Sequence, residues 1–231
     1  MSDARADILA EIRRSLGRRP GVAAAPPPPP AFAGRRSASA DRRPVPARGR
    51  VPESELAPLF AREAQAVDAT VARIAALDAL PAAVADYLAA RNLPARAVAS
   101  DDPLFDSVPW DARPTLELRR GVPGRDDPVA LTCAFAGVAE TGSLLMWGDA
   151  RNAHVASFLP ETAIVVLPAA RLVGTFEQAW ARVRAAGALP RALCFVTGPS
   201  RTGDIELRLE LGAHGPKRLH VVIVDGGPQP G

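Results

Sequence analysis

Cysteine is nearly absent from this chain: Cys133 and Cys194 are its only two, far apart in apolar stretches of a 231-residue sequence. They form no C-x-x-C pair, and His154, His214 and His220 lack ligand spacing, so a bound metal has little support. An iron-sulfur cluster held by this chain alone is excluded, since it normally takes about four thiolates. The thiols read instead as buried groups in a reducing compartment. Neither a Walker A loop nor a G-x-G-x-x-G fingerprint occurs, which removes most support for nucleotide-dependent hydride or phosphoryl transfer. No apolar run approaches the roughly 20 residues of a membrane-spanning helix, and the first residues lack the apolar stretch of a secretory signal. Asp3, Asp7 and Glu11 among the early arginines argue against an organelle transit peptide, which avoids acids. The expectation is a cytoplasmic protein with no membrane span, no metal and no cofactor of its own.

Lysine is scarce too: Lys217 stands alone against 27 arginines. With abundant Ala and Pro, that bias reflects genomic base composition and says nothing of function. The net charge of +3 is unevenly spread, because residues 1–50 hold eleven arginines and four acids, a net of +7. The remainder is therefore mildly acidic at −4, which argues against nucleic acid as a partner, since that needs a basic face on the folded part.

What is present suffices for one full-sized core, at 48 % hydrophobic residues. Ile8, Leu9, Ile12 and Leu16 have helical spacing before Gly17, so residues 1–16 read as a short amphipathic helix that either packs on its own domain or docks a partner. Residues 17–52, with five prolines from Pro26 to Pro30 and few large apolar groups, read as a flexible Pro/Arg-rich linker. Residues 53–231 form the folded domain. Within it, Leu56, Leu59, Phe60, Val67, Val71, Ile74 and Leu77 predict one long amphipathic helix over Glu55 to Asp78, and a second follows Pro81. Arg96 to Ser100 and Thr115 to Arg119 are short extended candidates; Val129 to Ala136 and Ser143 to Trp147 are more apolar. Ala163 to Leu167, Ala192 to Thr197 and Leu219 to Val224 are continuous apolar runs, as expected of strands covered on both faces. Between the first two, Thr175 and Gln178 fit a capping box and Gly187 a stop, which completes a βαβ unit. The fold class that follows is α/β: an open, mostly parallel sheet flanked by helices.

Three segments could carry chemistry. Gly198-Pro199-Ser200-Arg201-Thr202-Gly203-Asp204-Ile205-Glu206 follows a strand, where open α/β sheets bind ligands beyond carboxyl ends. Its glycines permit close approach, Ser200 or Thr202 can cap a helix, and Arg201 would attract a carboxylate or phosphate. Equally, Arg201 could pair with Asp204 or Glu206 while Ser200 merely caps. The segment beyond is open between helix and strand. In the second, His214 could act as general acid or base and Lys217 with Arg218 could hold an anion, or Gly215-Pro216 is a turn beside a solvated basic pair. His220 reads as structural. In the third, Glu140, Thr141, Gly142 and Ser143 join two apolar stretches, and the carboxylate is a nucleophile, a base or a turn cap.

Taken together, A-E-T-G-S at Ala139 to Ser143, F-L-P-E-T at Phe158 to Thr162, T-G-P-S-R-T-G-D-I-E at Thr197 to Glu206 and L-G-A-H-G-P-K-R-L-H-V at Leu211 to Val221 resemble the LUD domain family, in its lactate utilization protein C branch. The likeness runs over roughly residues 55 to 225. It implies a Rossmann-like fold similar to the NagB, ribose-5-phosphate isomerase and CoA-transferase superfamily. It also implies a part in oxidising L-lactate to pyruvate beside a cysteine-rich-domain partner and an iron-sulfur, ferredoxin-like partner that hold the redox centres. Carried over, the implied catalytic residues are Glu140, Arg201 and His214. The implied binding residues are Thr141, Gly142, Ser143, Gly198, Ser200, Thr202, Asp204, Glu206, Lys217 and Arg218, around a small anionic substrate. Many relatives carry a His where this sequence has Ala163, so no mechanism through that position applies here. Two alternatives stand beside this one: a free-standing enzyme acting on a phosphorylated sugar or CoA ester, with Glu140 as covalent nucleophile, and a regulatory or assembly subunit.

Overall fold

The computed structural model describes residues 3–15, 46–149, 154–187, 189–202, 210–211 and 215–226. The chain divides into two units, Met1–Pro44 and Val45–Gly231. In the first, Asp3–Ser15 is helix α1, with Ile8 and Ile12 exposed. The second holds helices α2 (Glu53–Ala66), α3 (Leu80–Ala90) and α4 (Phe176–Ala185). Its strands are β1 (Thr70–Ile74), β2 (Arg96–Ala99), β3 (Glu117–Arg120), β4 (Val129–Cys133), β5 (Ala136–Val138) and β6 (Ser143–Gly148). They continue with β7 (Thr162–Pro168), β8 (Leu172–Val173), β9 (Ala192–Val196), β10 (Arg201–Thr202), β11 (Glu210–Leu211) and β12 (Arg218–Val224).

Six strands form an all-parallel sheet in the order β1-β12-β7-β4-β2-β3. Its centre reads as unbroken apolar sequence because both faces are covered. On one face Ile164, Val166, Val222 and Val224 meet Leu80, Val84 and Leu88 of α3. On the other, Val165, Leu167, Val221 and Ile223 meet Leu59 and Phe60 of α2 and Leu144 and Met146 of a second sheet. That second sheet, β8-β5-β6-β9, carries α4 on its far side through Val138, Leu145, Ala179 and Val183. The mostly parallel α/β architecture expected from the sequence is present. Among the described residues, no helix is long and apolar enough to cross a membrane.

Two expectations are corrected. The long helix over Glu55 to Asp78 stops at Ala66: Asp68 has φ 64°, a left-handed conformation that breaks a helix, and Thr70–Ile74 pairs in parallel with β12. Val67, Val71 and Ile74 keep helical spacing across that break, which is how helix and strand merged. The βαβ unit around α4 also fails, since β7 lies in the six-stranded sheet and β9 pairs antiparallel with β6 in the other.

The capping box is present at both ends. Thr175 Oγ1 accepts from the Gln178 amide at 3.4 Å, and Gln178 Oε1 accepts from the Thr175 amide at 3.2 Å and the Gly174 amide at 2.7 Å. Thr175→Ala is expected to cost about 1 kcal/mol, read as a shift in the urea midpoint at unchanged slope.

Candidate functional site

The Gly-Pro-Ser-Arg loop lies at the amino ends of the parallel strands. It does follow the carboxyl end of β9, but β9 belongs to the second sheet and runs back toward the residues that precede β1 and β12. There the amide of Ser200 donates to Pro216 O at 2.9 Å, immediately before β12, and Arg201 pairs with Asp68, immediately before β1. Gly198 has φ 75°, and a Cβ on it would stand 2.4 Å from Val67 O, so a side chain is excluded by both conformation and contact. β10 and β11 pair antiparallel, so the chain returns as a strand at Glu210 and Leu211.

The Glu140 turn meets this loop through hydroxyl groups. Thr141 Oγ1 and Ser143 Oγ are 2.7 Å apart, and Ser143 Oγ and Thr197 Oγ1 are again 2.7 Å apart. Gly142 (φ 63°) sits against the backbone of Glu63 and Ala64, near the end of α2 where Gly198 also packs. Glu140 itself points elsewhere. It is 2 % exposed, its Oε1 accepts from the amide of Phe176 at 3.0 Å, and its Oε2 has no hydrogen-bond partner among the described residues. Phe176 opens α4, so the carboxylate lies at the amino end of that helix. A buried carboxylate oxygen left unbonded is costly in a purely structural role, and this is the one feature of the turn that packing does not explain.

The cations are all paired. Lys217 Nζ donates to Glu161 Oε1 at 2.7 Å, and Arg218 lies 3.9 Å from Glu161 Oε2 and donates to Thr162 Oγ1 at 3.4 Å. The hydrogen bond and charge of Lys217, then the charge of Arg218, hold the Glu161 carboxyl below its usual range. Arg201–Asp68 and Lys217–Glu161 are both about half exposed, so each is worth little energetically and can open to an incoming anion. Sequence reasoning missed Asp68, which was hidden inside the misread helix, and assigned no role to Glu161, although the F-L-P-E-T motif contains it. Asp204, Glu206 and His214 lie outside the described residues, as does the side chain of Thr202. Cys133 is buried, and burial pushes its thiol up to about 12 even though Arg171 donates to its sulfur at 3.1 Å. Among the described residues, no three His, Cys, Asp or Glu side chains group as metal ligands.

With this geometry in view, residues 127–224 match the LUD domain family. "Lactate utilization protein C 1" of Bacillus mycoides (strain KBAB4) is 34 % identical over 101 residues, 42 % of this chain and 43 % of that protein. "Lactate utilization protein C" of Geobacillus kaustophilus (strain HTA426) is 29 % identical over 149 residues, 55 % of this chain and 62 % of that one. The chain thus spans less than two thirds of the length of these relatives. A duf162 family protein from Deinococcus radiodurans, known as a crystal structure, shares the fold at a TM-score of 0.58 and 23 % identity, over 75 % of this chain and 99 % of that one.

Proposed function

Residues 127–224 make this chain a member of the LUD domain family, and on that premise we propose that it is a cytoplasmic subunit of an L-lactate utilization system, itself without a redox centre. The reaction converts L-lactate to pyruvate and releases two electrons and two protons. Partner subunits, one of the cysteine-rich-domain type and one ferredoxin-like, supply the iron-sulfur centres that take the electrons. This chain contributes the anion-holding loop and a proton acceptor. Arg201 leaves Asp68 to bind the lactate carboxylate, with Lys217 and Arg218 adding positive potential, and Glu140 takes one of the two protons on Oε2 while the other passes to solvent.

The observation that carries this reading is the unbonded oxygen of Glu140 in a buried turn, tied by hydroxyl contacts to the Gly198 loop. The test is growth on L-lactate as sole carbon source by a strain lacking the gene. Wild type is expected to restore growth, whereas Glu140→Gln and Arg201→Ala are expected to abolish or severely slow it while leaving the purified protein folded. Normal growth of the deletion strain would overturn the lactate role. Full rescue by Glu140→Gln would remove Glu140 from the chemistry and leave it as a helix cap. The acyl-transfer alternative uses the same oxygen: Oε2 would attack a thioester carbonyl, forming a mixed anhydride and expelling the thiolate. Mass spectrometry after incubation with CoA thioesters separates it from the first reading, which forms no adduct.

A further inference from the structure

The second sheet ends on an open edge. β9 is its last strand: β6 pairs with one side of it, and among the described residues nothing pairs with the other. Alternate residues of such a strand turn their N–H and C=O groups outward without a partner. Natural edge strands usually guard against pairing with lysines, a proline, a bulge or an inward-pointing charge. β9 has none of these. Ala192-Leu193-Cys194-Phe195-Val196 is uncharged, its register with β6 runs unbroken from Ala192 to Val196, and each of its residues is part-exposed.

The surroundings of the edge are apolar as well. Leu193 and Phe195 face α4, where Phe195 meets Trp180 edge-on at 5.7 Å between ring centroids, so Ala192, Cys194 and Val196 face the other side. Trp180 remains 42 % exposed, and Leu189, in the connection from α4 to β9, 73 %. An uncharged edge with a tryptophan and a leucine uncovered beside it has the composition of an interface core.

The occupant follows from what this strand can pair with. A second β9 presents the same outward groups. Opposed residues in an antiparallel pair either both direct their hydrogen-bonding groups at each other or both direct them away, so two identical strands pair about a two-fold axis through a residue. An axis through Leu193 would set Pro190 in the ladder opposite Val196, and one through Phe195 would set Pro199 opposite Arg191, although proline has no N–H to give. An axis through Cys194 pairs the whole strand and keeps both prolines outside the paired stretch. It sets Leu193 opposite Phe195 on the α4 face, an aliphatic–aromatic pair repeated by symmetry, and Ala192 opposite Val196. No like charges meet, because the exposed Arg191 of each copy falls beside Thr197 of the other. Thr197 Oγ1 is the group that ties Ser143 to the Gly198 loop, so each copy brings a cation to the other's loop. We propose that the chain forms a two-fold dimer by antiparallel β9–β9 pairing about Cys194, which joins two four-stranded sheets into one and sets Arg191 of each copy at the Gly198 loop of the other.

The axis can be tested chemically. Opposed residues in an antiparallel pair have Cα atoms about 4.5–5.5 Å apart, within reach of a disulfide. Cys194 is part-exposed, whereas Cys133, the only other cysteine, is buried. Light scattering of the full chain at micromolar concentration is expected to give the mass of a dimer, and mild oxidation with diamide to link it through Cys194, located by peptide mapping. Cys194→Ser should keep the dimer mass and lose the link. Cys194→Arg, which opposes two like charges on the axis, should leave a folded monomer. A monomeric wild type overturns the proposal, as does a dimer that forms no Cys194 link or one that survives Cys194→Arg. Should Cys194→Arg fail to fold, the mass and the link decide. The contribution of Arg191 rests on the lactate reading: Arg191→Ala is expected to keep the dimer mass and to slow growth on L-lactate. Growth at the wild-type rate overturns that contribution, whereas normal growth of the deletion strain removes the lactate reading and leaves the dimer standing.

Discussion

Gly142→Ala is expected to destabilise the protein by roughly 4 kcal/mol, near the limit of what a domain of this size tolerates. Two independent costs add. At φ 63° an L side chain carries a steric penalty that glycine does not, and the new methyl would stand 2.2 Å from the Ala64 amide and 2.5 Å from its Cα. The obstacle is helix backbone, with no flexible side chain that could yield. Relief would require α2 to lift off the second sheet, disrupting the contacts of Phe60 and Leu59 with that layer. The measurement is the urea midpoint of the variant against wild type. A midpoint within experimental error would mean that the Glu140 turn can slide away from α2, and that its link to the Gly198 loop is loose.

Acid should weaken the fold well before the carboxylates titrate. His220 is buried in β12, its ring stacked on Tyr87 at 3.9 Å between centroids and its Nδ1 2.8 Å from Thr70 Oγ1. Its Nε2 has no partner among the described residues. Burial holds the imidazole neutral and drives its pKa down from 6.5 to about 4. Between those values the unfolded chain binds a proton that the folded chain refuses. Stability therefore falls as pH falls, beginning near 6.5 and complete once pH passes below about 4, by roughly 3 kcal/mol in total. Glu161 and Asp127, both held below the usual carboxylate range, lose their contributions only at lower pH. Urea titrations from pH 7 downward should show the slope in wild type and its loss in His220→Phe, which retains an aromatic ring against Tyr87. Equal pH dependence in both would assign the acid sensitivity to other groups.

Much of the architecture was legible because burial on both faces leaves a sequence signature. β7 and β12 carry continuous apolar runs over residues 163–167 and 221–224 and lie side by side in the sheet's interior, and α4 announced its own start through Thr175 and Gln178. Errors arose where a local pattern had two physical meanings. β9 is as apolar as β7, yet it is a half-exposed edge strand: Phe195 packs edge-on against Phe176 and Trp180 of α4, so its hydrophobicity reflects a helix contact at a sheet margin. Which sheet a strand joins is a long-range property that periodicity cannot carry. The same applies to the site. Glycines with a required conformation, Gly142 and Gly198, stood out in their motifs, but the acids that neutralise Arg201 and Lys217 come from elsewhere in the chain and become partners only after folding.

The strand order has a consequence for how the molecule is made. β12, which comes after the other five strands of this sheet in chain order, takes an interior position between β1, the first of them, and β7. Until it is synthesised, β1 has no partner in the sheet, and the edge of β7 together with the apolar surfaces of α2 and α3 stays open. Every stage of synthesis before that point leaves a fold with its middle missing, so the domain closes late, through contacts that span most of its length, and must be shielded from its own sticky edges until then.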